Sequence, residues 1–261
     1  PLMLQDEAGD YTKVVSGGHF HGMPVAVKLY NLVQAATIMA SLINARCSRY
    51  IDAARNKGLG NDLVWPTLTN AEKSISSGMM IPEYVSAALA NTLLGLSTPS
   101  HLFSISTNAG QEDHVSMSAG LAVRLKDVVA RLSEIIAIEL AYAAQAAAIR
   151  REVKAIPSKH HPEAQADVDK AVQKLLALVK KRVGDPRFTP QVEIKLQFDV
   201  PAESLLMSPV SEHLLAILWT IFPPVKEDRA LSSELRSLAQ MVASGDLVRE
   251  AAKVLPTLRD V

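Results

Sequence analysis

The sequence predicts a mostly α-helical fold, built as a bundle of long helices, on three observations. Hydrophobic residues make up 48 % of the chain and aromatics only 5 %. The apolar content is therefore mainly Ala, Leu, Val and Ile, which suits closely packed helices. From about Asp113 to Glu152 a helical pattern runs without proline and with one glycine. At ~1.5 Å per residue it would be about 60 Å long, a length found in elongated bundles. From Val25 to about Ala54 apolar residues fall on nearly every face, the mark of a buried helix.

Taken in order, residues 1–23 are loop-like, punctuated by Gly17, Gly18 and Gly22. Pro24 suits the first turn of the helix that follows, where its missing N–H is no loss. Lys57 to Met79 is irregular. A second helix is expected from Pro82 to Leu96, closed by Pro99, and Ser104 to Glu112 is a polar loop before the long helix. Pro157 to Pro162 breaks the pattern and divides the chain into a central bundle part, 1–156, and a carboxy-terminal helical part, 157–261. Pro162 to Val183 is amphipathic and stops at Gly184. The alternation Val192, Ile194, Leu196, Phe198 and Val200 suits a short strand. Ser211 to Phe222 is expected as a buried helix ending at Pro223-Pro224, and Ser232 to Leu255 as a helix broken near Gly245. No internal repeat is present.

Composition narrows the function classes. The 261 residues hold 27 basic and 27 acidic groups, a formal net charge of zero. Nothing in that balance points to nucleic acid or an anionic membrane. The single cysteine, Cys47, excludes an internal disulfide and fits a reducing, cytoplasmic compartment. The longest apolar run, Leu214 to Phe222, is too short to span a bilayer. The start Pro1-Leu2 fits either a processed terminus or an internal cut.

Two polar islands stand out: Ser16-Gly17-Gly18-His19-Phe20-His21-Gly22, and Asn108-Ala109-Gly110-Gln111-Glu112-Asp113-His114. Each directly precedes a long apolar helix, where N–H groups are unpaired and the dipole is positive, a place that favours a carboxylate or an anionic ligand. The bland alternative is a glycine-rich turn for the first island. For the second it is a helix cap, with Asn108 or Asp113 accepting backbone N–H groups and Glu112 as a first-turn acid. No metal site is expected, because no His or Cys cluster adds ligands at fixed spacing to His19 and His21.

Together, Ser-Gly-Gly-x-Phe-His-Gly at 16–22, Gly78-Met79-Met80, and Gln-Glu-Asp-His-Val-Ser-Met at 111–117 resemble the histidine and phenylalanine ammonia-lyases in order and approximate spacing. The resemblance runs from Pro1, where Pro1-Leu2 is similar to the end of an Asn-Pro-Leu segment, to about Arg151. It resumes at Asp228 to Leu247. It implies a long-helix bundle of the ammonia-lyase (fumarase/aspartase-like) type and a homotetramer whose sites draw on several chains. It also implies the electrophilic cofactor MIO (4-methylideneimidazole-5-one), made when Ala-Ser-Gly in the backbone cyclises. A β-proton is barely acidic and ammonia is a poor leaving group, so such a site must activate both.

By position the resemblance implies that Glu112 and Phe20 are catalytic. Glu112 lies near the substrate amine, at a position that is Glu in histidine lyases and usually Gln in phenylalanine and tyrosine lyases, and Phe20 packs against the substrate. Gln111, Asn108 and His19 would bind substrate, and Gly18 and His21 would support the loop. His19 stands where Asn is usual, Gly110 where Asn precedes Gln-Glu, Glu83 where Gln is common, and Gly60 where Pro is usual. Ala243-Ser244-Gly245 spells the cofactor-forming tripeptide but falls at the family's last helix, so a helix break at Gly245 is expected there. The resemblance places the real tripeptide, the Tyr base and the carboxylate-binding Arg outside this chain, in an amino-terminal part that would be its partner.

The function so implied is elimination of ammonia from an aromatic amino acid, with histidine favoured through Glu112. A tyrosine or phenylalanine lyase, or a 2,3-aminomutase, keeps every residue discussed. A reading of another class is a non-catalytic or cleaved fragment that needs an amino-terminal partner chain.

Overall fold

The computed structural model describes residues 2–15, 18, 20–155 and 207–255. The helix expected over 162–183, the strand over 192–200 and the boundary at 157–162 lie outside the described residues.

The amino-terminal segment departs from the expected loop: it is a β-hairpin. Strands β1 (Leu2–Gln5) and β2 (Tyr11–Val15) pair antiparallel, with Leu2 opposite Val15 and Leu4 opposite Lys13. The turn explains why. The carboxylate of Asp6 accepts the N–H groups of Ala8 and Asp10, and Gly9 takes φ +85°. An Asx-type turn of this kind holds two short strands together.

Helix α1 (Met23–Ile51) follows, then α2 (Asn70–Ile75), α3 (Met80–Leu96), α4 (Ser118–Ala155), α5 (Pro209–Ile221), α6 (Ser232–Ser244) and α7 (Asp246–Val254). The core is the contact of α1 with α4, covered by α3 on one side and by α6 on another. Buried Val33, Ala36, Ala40, Ile43 and Cys47 recur on α1, and Leu121, Val128, Ile135, Tyr142 and Ile149 on α4. Spacings of three, four and seven put each set on one stripe, the geometry of coiled-coil packing. Ala137, Ala141 and Ala144 on α4 are also buried, and small side chains let the helix axes approach closely.

α1 and α4 run parallel. Their first turns meet, and near their far ends Arg46 donates to Glu139 while the Tyr50 and Tyr142 rings stack 5.8 Å apart. α3 runs the opposite way, with Ser86 Oγ on Asn44 Oδ1 and Thr37 Oγ1 donating to Leu93 O. The expectation that α1 is buried on every face is corrected. Val25, Leu32, Ile38, Met39 and Leu42 are exposed in the single chain. The apolar composition of α1 thus exceeds what one chain can cover.

By length and composition alone, Met23–Ile51 and Ser118–Glu152 could each cross a bilayer, although no uninterrupted apolar run does so. Within the fold they pack on each other.

Elsewhere the expected elements appear with shifted ends. α3 starts two residues early and α5 is capped by Ser208, whose Oγ accepts the Ser211 N–H. α2 was not anticipated. Its capping box, Thr69 with Glu72, lies inside a stretch that is otherwise irregular. Gly245 takes φ +75° and ends α6, and Ser244 is engaged with Asp246. Ala243-Ser244-Gly245 is therefore a helix break.

Candidate active site

The long helix begins at Ser118, five residues later than the pattern suggests, so the second island does not cap it. It forms a turn of its own. Thr107 and Glu112 exchange backbone bonds, Thr107 N to Glu112 O at 2.9 Å and the reverse at 3.2 Å. Asn108, Ala109 and Gly110 are all left-handed, at φ +52°, +53° and +89°. Asn108 tolerates this conformation and glycine prefers it, whereas Ala109 is strained there. Strain of this kind collects at functional loops. Asn108 Nδ2 donates to Gln111 Oε1 at 3.0 Å, so these two side chains hold each other rather than a helix end.

The first island turns as well: His21 N–H donates to Gly18 O at 2.9 Å. α1 then starts at Met23 with Gly22 at its cap and Pro24 in its first turn. Neither α1 nor α4 has an acidic residue in its first turn. The positive ends of both dipoles are thus left without a carboxylate from their own helices.

The two islands are joined through His21. Its Nδ1 accepts the Met23 N–H at 3.3 Å, so Nε2 carries the proton donated to His114 O, 2.9 Å away. The His21 and His114 rings stack 5.8 Å apart and nearly parallel. This contact spans 93 residues of sequence. Gly22 makes the approach possible, because a Cβ there would lie 2.5 Å from Ser118 Oγ and 2.8 Å from Ser116 Oγ. Val115 N–H is held in turn by Ser104 Oγ at 2.7 Å.

Each predicted position can now be placed. Phe20 is 77 % exposed, and Gly18, Gln111, Asn108 and Glu112 are exposed on the same two loops. His21 is half-buried and bonded as described. His19 lies outside the described residues. Among the described residues no three His, Cys, Asp or Glu side chains come together as metal ligands would. A cleft of about 550 Å3 opens beside the start of α4, between Phe103, Val115, Met117 and Arg124. Ser100 also lines it, and Ser100 Oγ is buried without a hydrogen-bond partner. Arg124 braces the wall by donating to Thr98 O.

His114 and Ser116 had no assigned role in the sequence, although both sit in the Gln-Glu-Asp-His-Val-Ser-Met run. Their part depends on α1 meeting α4, which no local pattern encodes. Asp228 was also missed as a brace. Its carboxylate accepts Ser76 Oγ, Ser77 N and Gly78 N at 2.6–2.9 Å. Partial burial opposes ionisation, but these three donors outweigh it and hold the carboxyl below the usual range.

Comparisons with known proteins show what the chain is similar to. The family profile described as aromatic amino acid lyase matches residues 1–179. Histidine ammonia-lyase of Chloroflexus aurantiacus is 36 % identical over 152 residues, 58 % of this chain and 28 % of that protein. Histidine ammonia-lyase of Rhodospirillum rubrum is 33 % identical over 197 residues, 74 % of this chain and 34 % of that protein. The chain thus spans about a third or less of the length of the curated relatives it matches. Among solved structures, histidine ammonia-lyase from Trypanosoma cruzi superposes with a TM-score of 0.66 at 24 % identity, covering 94 % of this chain and 36 % of that one. Tyrosine aminomutase from Streptomyces globisporus gives 0.66 at 18 %, covering 93 % and 35 %. These likenesses show a shared helical fold.

Proposed function

Because the chain belongs to the aromatic amino acid lyase family, we propose that it is the carboxy-terminal portion of an ammonia-lyase that converts an aromatic amino acid, histidine in preference, into the unsaturated acid, here urocanate. The observation that carries this is the His21–His114 junction. It joins the loop that carries Phe20 to the loop that carries Glu112, far apart in sequence, which supports a shared site.

The family's MIO group, formed from an Ala-Ser-Gly segment of the amino-terminal part, would supply the electrophile that captures the substrate amine. The residues present suit such a group. Ser100 Oγ, buried and without a partner among the described residues, gives one donor in the cleft beside α4, and no acidic residue stands in the first turn of α1 or α4. In this reading Phe20 packs on the substrate ring. Glu112 holds the ammonium or moves a proton at the departing nitrogen. Asn108 and Gln111, locked to each other, form a polar rim, and His19, next to Phe20 in sequence, would bind substrate. Gly18 and His21 hold the loop geometry, so His21 is a positioning residue.

Support for histidine comes from Glu112 and from the matched relatives described as histidine ammonia-lyases. The exposed apolar faces of α1 and α3, among them Leu32, Met39, Leu42, Tyr84 and Val85, support assembly with further copies as a homotetramer.

The test is urocanate absorbance after adding histidine to a preparation that contains the cofactor. Product should accumulate, and Glu112→Gln should lower kcat/KM for histidine about 100-fold. Cinnamate from phenylalanine or coumarate from tyrosine, without urocanate, would move the assignment to that ring. A β-amino acid product would make it an aminomutase. No product from any of the three would sink the enzymatic reading in favour of a non-catalytic scaffold.

A further inference from the structure

At the other end of the bundle, some 26 residues along α1 and therefore about 40 Å from the paired islands, lies a second cleft of about 460 Å3. Its chemistry differs from that of the first. Arg46, Arg49, Arg55, Lys57 and Arg150 line it, and among the described residues no carboxylate does. Two of these cations are already engaged. Arg46 forms a double contact with Glu139, and Arg55 binds Asp52 at 2.6 Å. Arg49, Lys57 and Arg150 have no hydrogen-bonded or ion-pair partner among the described residues. Three cations with no partner among the described residues stand around one cleft, in a chain whose formal net charge is zero.

The floor is apolar, made of Ala143, Ala146 and Ala147 from α4 together with Leu59 and the half-buried Tyr50. The wall that carries Lys57 is braced. Asn56 is buried, its Nδ2 donates to Tyr50 O and Gly60 O, and its Oδ1 accepts the Leu59 N–H. A cleft of this volume admits a molecule of roughly a dozen heavy atoms. An apolar floor beneath unpaired cations selects against both a bare inorganic ion and a neutral ring.

We infer that this cleft binds a small amphipathic organic anion, its acid group held by Arg49, Lys57 and Arg150 and its apolar body lying on Ala143, Ala147 and Tyr50. The guanidinium groups offer forked donors to a carboxylate, and the apolar body gains by leaving water. This site is independent of the reaction at the other end.

The probe is phenylpropionate, titrated by calorimetry into the purified full-length protein. Saturable binding is expected, with phenylpropanol (ring without acid) and inorganic phosphate (acid without ring) each at least about tenfold weaker. The double variant R49A/R150A should weaken phenylpropionate roughly tenfold, and R49K/R150K, which keeps the charge but loses the fork, should weaken it less, which separates lost charge from a damaged fold. E112Q should leave this binding unchanged. Phosphate binding as tightly as phenylpropionate, an unaltered affinity in R49A/R150A, or a loss confined to E112Q would each overturn the proposal.

Discussion

Gln145 is the side chain whose replacement should disturb the bundle most per atom changed. It is fully buried on α4 and serves two separate segments. Its Nε2 donates to Leu63 O at 3.1 Å and to Val225 O at 2.9 Å, and its Oε1 accepts the Val225 N–H at 2.8 Å. The loop before α2 and the segment after α5 are therefore both tied to one amide. Gln145→Met keeps the volume and removes all three bonds. Three backbone groups then lose a buried partner. At about 1 kcal/mol each as a lower bound, with more where no water enters, the loss is about 3–5 kcal/mol. For a chain of this size that corresponds to a fall in Tm of roughly 10 °C. Thermal unfolding followed by circular dichroism measures it. Tyr142→Phe is the internal comparison. It removes one bond, to Met79 O at 2.7 Å, and should cost only about 1 kcal/mol. A Gln145→Met protein that melts within about 2 °C of the parent, or a larger effect from Tyr142→Phe, would refute the idea that this amide staples the two segments.

Other expectations can be checked separately. Gly78→Ala should destabilise by about 1–3 kcal/mol or more in urea titration, because Gly78 has φ +50° and a Cβ would stand 2.6 Å from Asp62 O. Asp228 has its carboxyl held below the ordinary range by Ser77, Ser76 and Gly78 against the opposing effect of burial. Its contribution is complete above the ordinary carboxylate range and is lost as the pH falls through its lowered value, so Asp228→Asn should flatten the acid limb of a stability–pH curve. Cys47 is buried and its thiol is pushed up to about 12, chiefly by desolvation. It should resist a thiol reagent at pH 8 in the native protein and react at once in denaturant, and fast native labelling would contradict its burial.

Much of the helical fold was legible because helix formation is local. The apolar spacing of α1, α3 and α4 and the stop at Gly245 each follow from residues within a few turns. The misses have equally physical causes. The amino-terminal hairpin depends on an Asp6-centred turn, and strands that short carry little pattern. Met117 at φ +50° marks a bend just before Ser118 that delays the long helix past the second island. The apparent burial of α1 on all faces came from reading composition as if one chain supplied every neighbour.

The sequence by itself determined that this chain makes long, Ala- and Leu-rich helices. It also placed two glycine-containing polar loops before two of them, in an order resembling the ammonia-lyases. Only the tertiary structure decided that α1 and α4 lie parallel with their first turns together. That packing brings His21 to His114 O, closes Gly22 on Ser116 and Ser118, and leaves Arg49 and Arg150 around a shared cleft at the far end. The physical reason is range. An i to i−4 hydrogen bond is specified by neighbours in the chain, whereas a contact across 93 residues exists only once two apolar stripes have found each other.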